Sequence, residues 1–390
     1  MQTIHDPAGD NTGGTFSEPA IALYNPPMDS KTRTIHTAVP GSEYDITVRP
    51  GLLAHIGDIL RKLTQSKKAV VVTDDVVGNI YGSAVESSLR TAGFTTTIAT
   101  VPTGEKNKTL ATISTIYDTL LTWSIERTTP VLALGGGVVG DMAGFAAATV
   151  LRGVPFVQIP TTLLAMVDAS VGGKTGVDHA VGKNLIGAFH QPIAVLIDPA
   201  ALKTLPPREL RSGLAECIKH DIIRDAAGFA DLERNIRRAL ALDIDYLADL
   251  VAHNVAIKAR VVAADPFEKG ERAHLNFGHT FGHAIETISN YAYAHGECVA
   301  LGMVAACHAA KALGMIDRAS CDRVAALLRA AELPTKGLTL PIDNVVSAMI
   351  YDKKVKSGNV RFVLPSAIGA VTVRDDVPAE IVRDAVASLT

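Results

Sequence analysis

The segment Arg272-Ala273-His274-Leu275-Asn276-Phe277-Gly278-His279-Thr280-Phe281-Gly282-His283 gathers a guanidinium, a carboxamide and two imidazoles four residues apart, and His295-Gly296-Glu297 follows. Residues at i and i+4 share one face of a helix, so His279 and His283 are expected to look into one cavity. Neutral imidazole is the commonest side-chain ligand for a divalent metal near neutral pH. The HxxxH spacing is that of a zinc-peptidase helix, but Thr280 stands where that motif carries its general-base glutamate, which disfavours peptidase chemistry. One carboxylate with two histidines would leave coordination positions open to a substrate. For the two histidines taken alone, an ordinary hydrogen-bonded role stays open.

Three further clusters carry chemical groups. Leu134-Gly135-Gly136-Gly137-Val138-Val139-Gly140-Asp141 sets GxGxxG between a predicted strand and a predicted helix, where backbone amides could approach a pyrophosphate. A tight turn without ligand is the alternative, and the motif lies deeper in the sheet than in an ordinary Rossmann arrangement. Pro102–Lys108, at the end of the preceding strand, reads as further cofactor contacts or as a solvated loop. Asp168–Lys174 and Gly182–Asn184 bring a carboxylate and two lysines among glycines after the turn Pro160-Thr161-Thr162, which favours an anion site. In Gly213–Lys219, Glu216 and Lys219 sit three apart among apolar neighbours, and charges buried in a helix need a partner or a metal.

The elements that must position these groups fall into two blocks. Residues 41–206 alternate β-branched runs (Lys68–Thr73, Thr95–Thr100, Pro130–Leu134, Phe156–Ile159, Ala194–Asp198) with helical stretches near Tyr81–Ala92, Leu110–Trp123 and Asp141–Leu151. That alternation predicts an α/β domain with a mainly parallel, Rossmann-like sheet. Residues 207–390 read as mostly helical, with short strands near Val360–Leu364 and Ala370–Val373. Residues 1–40 are rich in Thr, Gly, Pro and Asp and lack a basic start followed by an apolar stretch; a mobile extension without a secretory signal is expected. A net charge of −3 gives no global attraction for nucleic acid or an anionic membrane, so any anion specificity must be local. No apolar run is long enough to span a bilayer. The four cysteines, Cys217, Cys298, Cys307 and Cys321, form no CxxC pair and read as buried thiols of a cytoplasmic protein.

Taken in this order, the motifs Gly135–Asp141, Asp168–Lys174, Gly182–Asn184, Gly213–Lys219, Arg272–His283 and His295–Glu297 resemble those of the 3-dehydroquinate synthase family. Asp352-Lys353-Lys354 and Phe362–Pro365 extend the likeness, which runs from about residue 45 onward. The resemblance implies an NAD-binding first domain, a helical second domain and a metal site between them. Glu216, His279 and His295 would be the ligands, to zinc or alternatively cobalt. Thr103, Gly104, Glu105, Lys108, Gly137, Val138, Val139, Gly140, Asp141, Thr161, Thr162, Lys174, Lys183, Leu202, Lys203 and Thr204 would hold NAD. Asp168, Lys174, Lys183, Asn184, Lys219, Lys258, Arg272, Asn276, His283 and Lys354 would line the substrate pocket. Of these, His283, Lys174, Arg272, Asn276, Lys219 and Lys258 would serve catalysis.

The activity so implied converts 3-deoxy-D-arabino-heptulosonate 7-phosphate to 3-dehydroquinate and phosphate. Transient oxidation by NAD is followed by phosphate elimination, re-reduction and intramolecular aldol closure, and a homodimer is the expected assembly. Related cyclases of heptulose phosphates usually replace the positions of Asn276 and His283, and metal-dependent polyol dehydrogenases lack the lysine cluster. Both features are intact here.

Overall fold

The computed structural model describes residues 32–39, 41–266, 268, 270–353 and 360–390. The first half is built on seven strands: β1 (Arg33–Thr37), β2 (Tyr44–Val48), β3 (Lys68–Asp74), β4 (Thr95–Val101), β5 (Val131–Gly135), β6 (Phe156–Pro160) and β9 (Ala194–Ile197). Between β6 and β9 a separate antiparallel hairpin, β7 (Lys174–His179) and β8 (Gly182–Phe189), leaves the sheet. The sheet order is β1-β2-β9-β6-β5-β3-β4, parallel throughout except for β1 against β2.

Alternation along the strands assigns the two faces. Val70, Val72, Val131 and Ala133 pack with Ile113 and Ile116 of α4 (Leu110–Thr122) and Met142 of α5 (Gly137–Thr149). Ala69, Val71, Leu132 and Leu134 pack instead with Ile56 and Leu60 of α1 (Ile56–Leu63) and Leu89 of α3 (Ser83–Thr91). The short α2 (Asp75–Val77) runs through a π turn into α3, and Asp74 caps it by accepting from the Val76 and Val77 amides.

The second half contains α6 (Pro207–Arg224), α7 (Ala226–Leu240), α8 (Ile244–Ala264), α9 (His279–Ile288), α10 (His295–Ala312), α11 (Arg318–Ala330), α12 (Ile342–Lys353) and α13 (Ala379–Ala387). A short antiparallel pair, β10 (Phe362–Ala367) and β11 (Ala370–Arg374), precedes α13. Pro207 opens α6 at the position where a helix tolerates a missing amide, and Asp225, Asp243 and Asp317 cap α7, α8 and α11. Each such cap stabilises its helix by about 1 kcal/mol.

Four features depart from the sequence reading or go beyond it. β1 lies within the stretch read as an extension: Ile35 is buried, and five residues of register with β2 make an edge strand that is too short for its alternation to stand out. The helix expected from Asp141 begins at Gly137 and ends at Thr149, because Leu151 takes φ 48°. Lys174 and the segment Gly182–Asn184, to which the sequence reading assigns no element, lie in the hairpin β7–β8. Finally, the largest core runs across residue 206, joining Ile46, Val195 and Met166 to Leu214, Ile218 and Val255.

Candidate active site

The chain passes from β3 outward to β4 and then returns to β5 on the other side of β3, so the sheet reverses its winding between β3 and β5. Ligands of open α/β sheets bind outside the carboxyl ends of the strands at such a point. There the backbone Gly135-Gly136-Gly137 leads into α5, whose first turn presents bare amides. Gly140 faces inward, and a Cβ on it would lie 2.8 Å from Gln158 Oε1, so its smallness serves the packing of helix on sheet. Val139 is buried against Gly135, whereas Val138 is half-buried.

Thr161 hangs its buried Oγ1 without a hydrogen-bond partner, and Thr162 packs against Gly136. An apolar recess beside them is lined by Val77, Tyr81, Thr204 and Leu205. Tyr81 hydroxyl meets Thr204 Oγ1 at 2.7 Å; Leu202 is fully buried behind it, and Lys203 is exposed. A glycine-lined helix start, an orphaned threonine oxygen and an apolar recess fit a dinucleotide. Thr103 and Gly104 border this region, with the Thr103 amide donating to Asp75 Oδ1 at 3.0 Å. Lys108 is buried and donates to Asp141 Oδ2 at 2.7 Å and Asn184 Oδ1 at 2.5 Å, binding α5 to the hairpin. Burial lifts the Asp141 carboxyl to about 6 even though Lys108 opposes the rise.

On the other side, α6 is enclosed nearly all round, and Glu216, Lys219, His220 and Asp221 are all buried within it. Lys219 Nζ forms an ion pair with Glu216 Oε2 without hydrogen-bond alignment, and Glu216 Oε1 has no hydrogen-bond partner. Two imidazoles face that oxygen: His279 Nε2 at 3.7 Å and His295 Nε2 at 3.4 Å. His279 Nδ1 lies 3.1 Å from the Phe277 carbonyl, so in the neutral ring Nδ1 donates and Nε2 keeps its lone pair. One donor atom from each of Glu216, His279 and His295 lies within 4.8 Å of the others. Burial pushes the Glu216 carboxyl up, but Lys219, His295 and His279 outweigh it and hold it below the usual carboxylate range. The arrangement fits a divalent metal held by one carboxylate and two imidazoles.

His283 stands one turn beyond His279, its ring centroid 5.1 Å away, and faces outward. Arg272 and Asn276 belong to a separate short 3-10 turn (Glu271–Asn276), divided from α9 by Gly278 at φ 77°. Arg272 is buried and donates to the Pro266 carbonyl at 2.7 Å and the Gly172 carbonyl at 3.3 Å, so its guanidinium is largely committed to backbone.

The remaining lysines pair across the two halves. Lys258 Nζ meets Asp168 Oδ1 at 2.6 Å, and Lys183 Nζ meets Glu286 Oε1 at 3.0 Å. Lys174 pairs with Glu268, whose other oxygen accepts from Asn276 Nδ2 at 3.1 Å. Burial raises the Asp168 carboxyl, but Lys258, Lys219 and His220 outweigh it and hold it well below its ordinary value. Lys354 lies outside the described residues. Sequence reasoning passed over Glu268, Glu286 and His220. Glu286 was within reach of it, three residues beyond His283 and seven beyond His279 on the same helical face.

The family model for the 3-dehydroquinate synthase N-terminal region matches residues 98–212, and that for the C-terminal region matches residues 213–355. A 3-dehydroquinate synthase from Synechococcus sp. is 48% identical over 357 residues, covering 90% of this chain and 97% of that protein. Among solved structures, 2-epi-5-epi-valiolone synthase from Streptomyces hygroscopicus with NAD+ and Zn2+ bound superposes with TM-score 0.82 at 30% identity, over 89% of this chain and 96% of that one. A 2-deoxy-scyllo-inosose synthase shares the fold at TM-score 0.84 and 24% identity, over 92% of this chain and all of that one (100%). The chain belongs to the 3-dehydroquinate synthase family.

Proposed function

We propose that the protein converts 3-deoxy-D-arabino-heptulosonate 7-phosphate to 3-dehydroquinate and phosphate, a carbon–oxygen lyase step of the shikimate route to aromatic amino acids. The observation that carries this reading is the junction of two sites. The Glu216/His279/His295 cluster adjoins lysine–carboxylate pairs that bridge to the dinucleotide side of the sheet. A polyol dehydrogenase needs the first site but has no use for the crowd of lysines.

In this reading Glu216, His279 and His295 hold a divalent metal, zinc by preference and cobalt as the alternative. The backbone of Gly137–Asp141, the Thr103–Lys108 loop, Thr161, Thr162 and Thr204 hold NAD. When bound, these groups supply a hydride acceptor and donor and a positive charge at the oxygen of the hydroxyl being oxidised. Lys219 keeps Glu216 ionised, since a neutral carboxyl would be a poor ligand. Lys174 and Lys183 bind the substrate's anionic groups, and Glu268 and Glu286 balance their charge until those groups arrive. Asp168, its charge held by Lys258, accepts hydrogen bonds from sugar hydroxyls. His283 takes and returns a proton at a ring nitrogen beside the metal ligands. Asn276 orients the substrate through its amide.

Residues 41–206, with the edge strand β1, form the NAD-binding domain and 207–390 the metal- and substrate-binding domain; the working unit is a homodimer in the cytoplasm. The three fully buried thiols and the half-buried Cys321, all unpaired, suit a reducing compartment, and no described helix is long and apolar enough to cross a membrane. The test offers the heptulosonate 7-phosphate and sedoheptulose 7-phosphate in parallel with NAD and zinc. Phosphate release from the first alone is expected, and preferential turnover of the second would reject the assignment.

A further inference from the structure

We propose that Glu286 supports the metal centre from outside its ligand set, holding the His295 ring in place through Nδ1 and linking that ring to Lys183 of the hairpin. This rests on the reading of Glu216, His279 and His295 as ligands. Glu286 is buried at 8% exposure on α9. Its Oε2 lies 3.6 Å from His295 Nδ1, while His295 Nε2 faces Glu216 Oε1 at 3.4 Å. The two nitrogens of one ring therefore address two different carboxylates, one inside the ligand cluster and one outside it.

An imidazole that gives Nε2 to a metal carries its proton on Nδ1. A carboxylate at that nitrogen fixes the tautomer, restrains the ring and makes Nε2 a stronger donor. At 3.6 Å the contact is electrostatic, and a small ring rotation would bring it to hydrogen-bond distance. His279 is supported differently, by the neutral carbonyl of Phe277. The centre thus has one imidazole backed by a neutral acceptor and one backed by a charge.

Glu286 can remain ionised there because its other oxygen is satisfied. Oε1 accepts from Lys183 Nζ at 3.0 Å, and that ammonium also lies 4.2 Å from the centroid of the Tyr291 ring. One oxygen is therefore occupied by the hairpin and the other is left for His295. Neither contact involves the ligand-forming oxygen of Glu216.

The test is zinc affinity of Glu286→Gln, measured by competition with a chromophoric chelator, with thermal melting of the metal-free protein as the folding control. An affinity weakened about 10- to 100-fold with unchanged metal-free melting is expected. Affinity within about twofold of the native value would mean that Glu286 serves Lys183 alone and would overturn the proposal. If Glu286→Gln does not fold, Glu286→Asp decides, because it keeps the charge but draws the carboxylate back from His295 Nδ1. Zinc affinity weakened about tenfold supports the proposal, and affinity within about twofold of the native value overturns it. His279→Ala separates the two layers of inference. If it still holds stoichiometric zinc, the ligand reading itself fails. If it loses zinc while Glu286→Gln binds normally, only the role of Glu286 fails.

Discussion

Arg272 has two employments that pull on the same side chain. The proposed function makes it a substrate group, yet its guanidinium is buried and donates to the carbonyls of Pro266 and Gly172. Gly172 takes φ 102°, and a Cβ there would lie 2.4 Å from Arg272 Nη2, so the glycine and the arginine are fitted to each other. Removing the side chain orphans two carbonyls and takes a cation away. Arg272→Ala should therefore lose about 2–3 kcal/mol of stability by chemical denaturation while KM rises and stoichiometric zinc is retained. Unchanged stability would show that the carbonyl contacts carry no weight. The residue type and its place in the motif were readable from the sequence. Its burial was not, because that depends on a glycine loop one hundred positions away.

The hairpin β7–β8 is the element that brings Lys174, Lys183 and Asn184 to the site, and it packs on α5 through Gly144. A Cβ on Gly144 would stand 2.4 Å from Thr175 Cγ2 and 3.0 Å from Phe156 Cζ. These are short, stiff neighbours in a packed interior, so the hairpin must yield. Gly144→Ala should destabilise the fold by about 1–3 kcal/mol and raise KM more than it lowers kcat, since the lysines move and Glu216, His279 and His295 do not. Native KM in this variant would show that the hairpin does not set the lysines. The strands β3, β5, β6 and β9 were legible because buried parallel strands are unbroken runs of Val, Leu and Ile. The hairpin escaped because its text is glycine and lysine, which reads as loop, and its strand character comes from pairing and from α5. The His279–His283 relation was legible from helical spacing alone. The meeting of α6 with α9 and α10, which brings in Glu216 and His295, came only through the family resemblance.

Taken whole, the molecule joins its halves through one continuous core, and the second half buries a charged pair behind the site. Asp221 is fully enclosed on α6, with Oδ1 2.8 Å from His253 Nε2 and Oδ2 without a hydrogen-bond partner. Burial lifts its carboxyl to about 6, and the bond to Asp221 raises the His253 imidazole above its ordinary value. For both groups the folded state binds protons more tightly than the unfolded chain. The stability they contribute is therefore greatest at low pH. The Asp221 part is lost as pH rises from about 4 to 6, and the His253 part is lost as pH rises through its folded pKa, above about 6.5. Asp221→Asn removes both effects, so its stability relative to the native protein should improve by on the order of 2 kcal/mol between pH 4 and pH 8. A difference that does not vary with pH would contradict this account of the pair.

In the proposed function one site oxidises, eliminates and reduces without consuming its NAD. The most direct measurement supplies the heptulosonate phosphate in large excess over a single equivalent of NAD per protein, with zinc present, and follows phosphate, dehydroquinate and NADH together. Phosphate and dehydroquinate should form in equal amounts through many turnovers with no accumulation of NADH. Turnover that stops after one equivalent, with NADH left standing in the same amount, would contradict it.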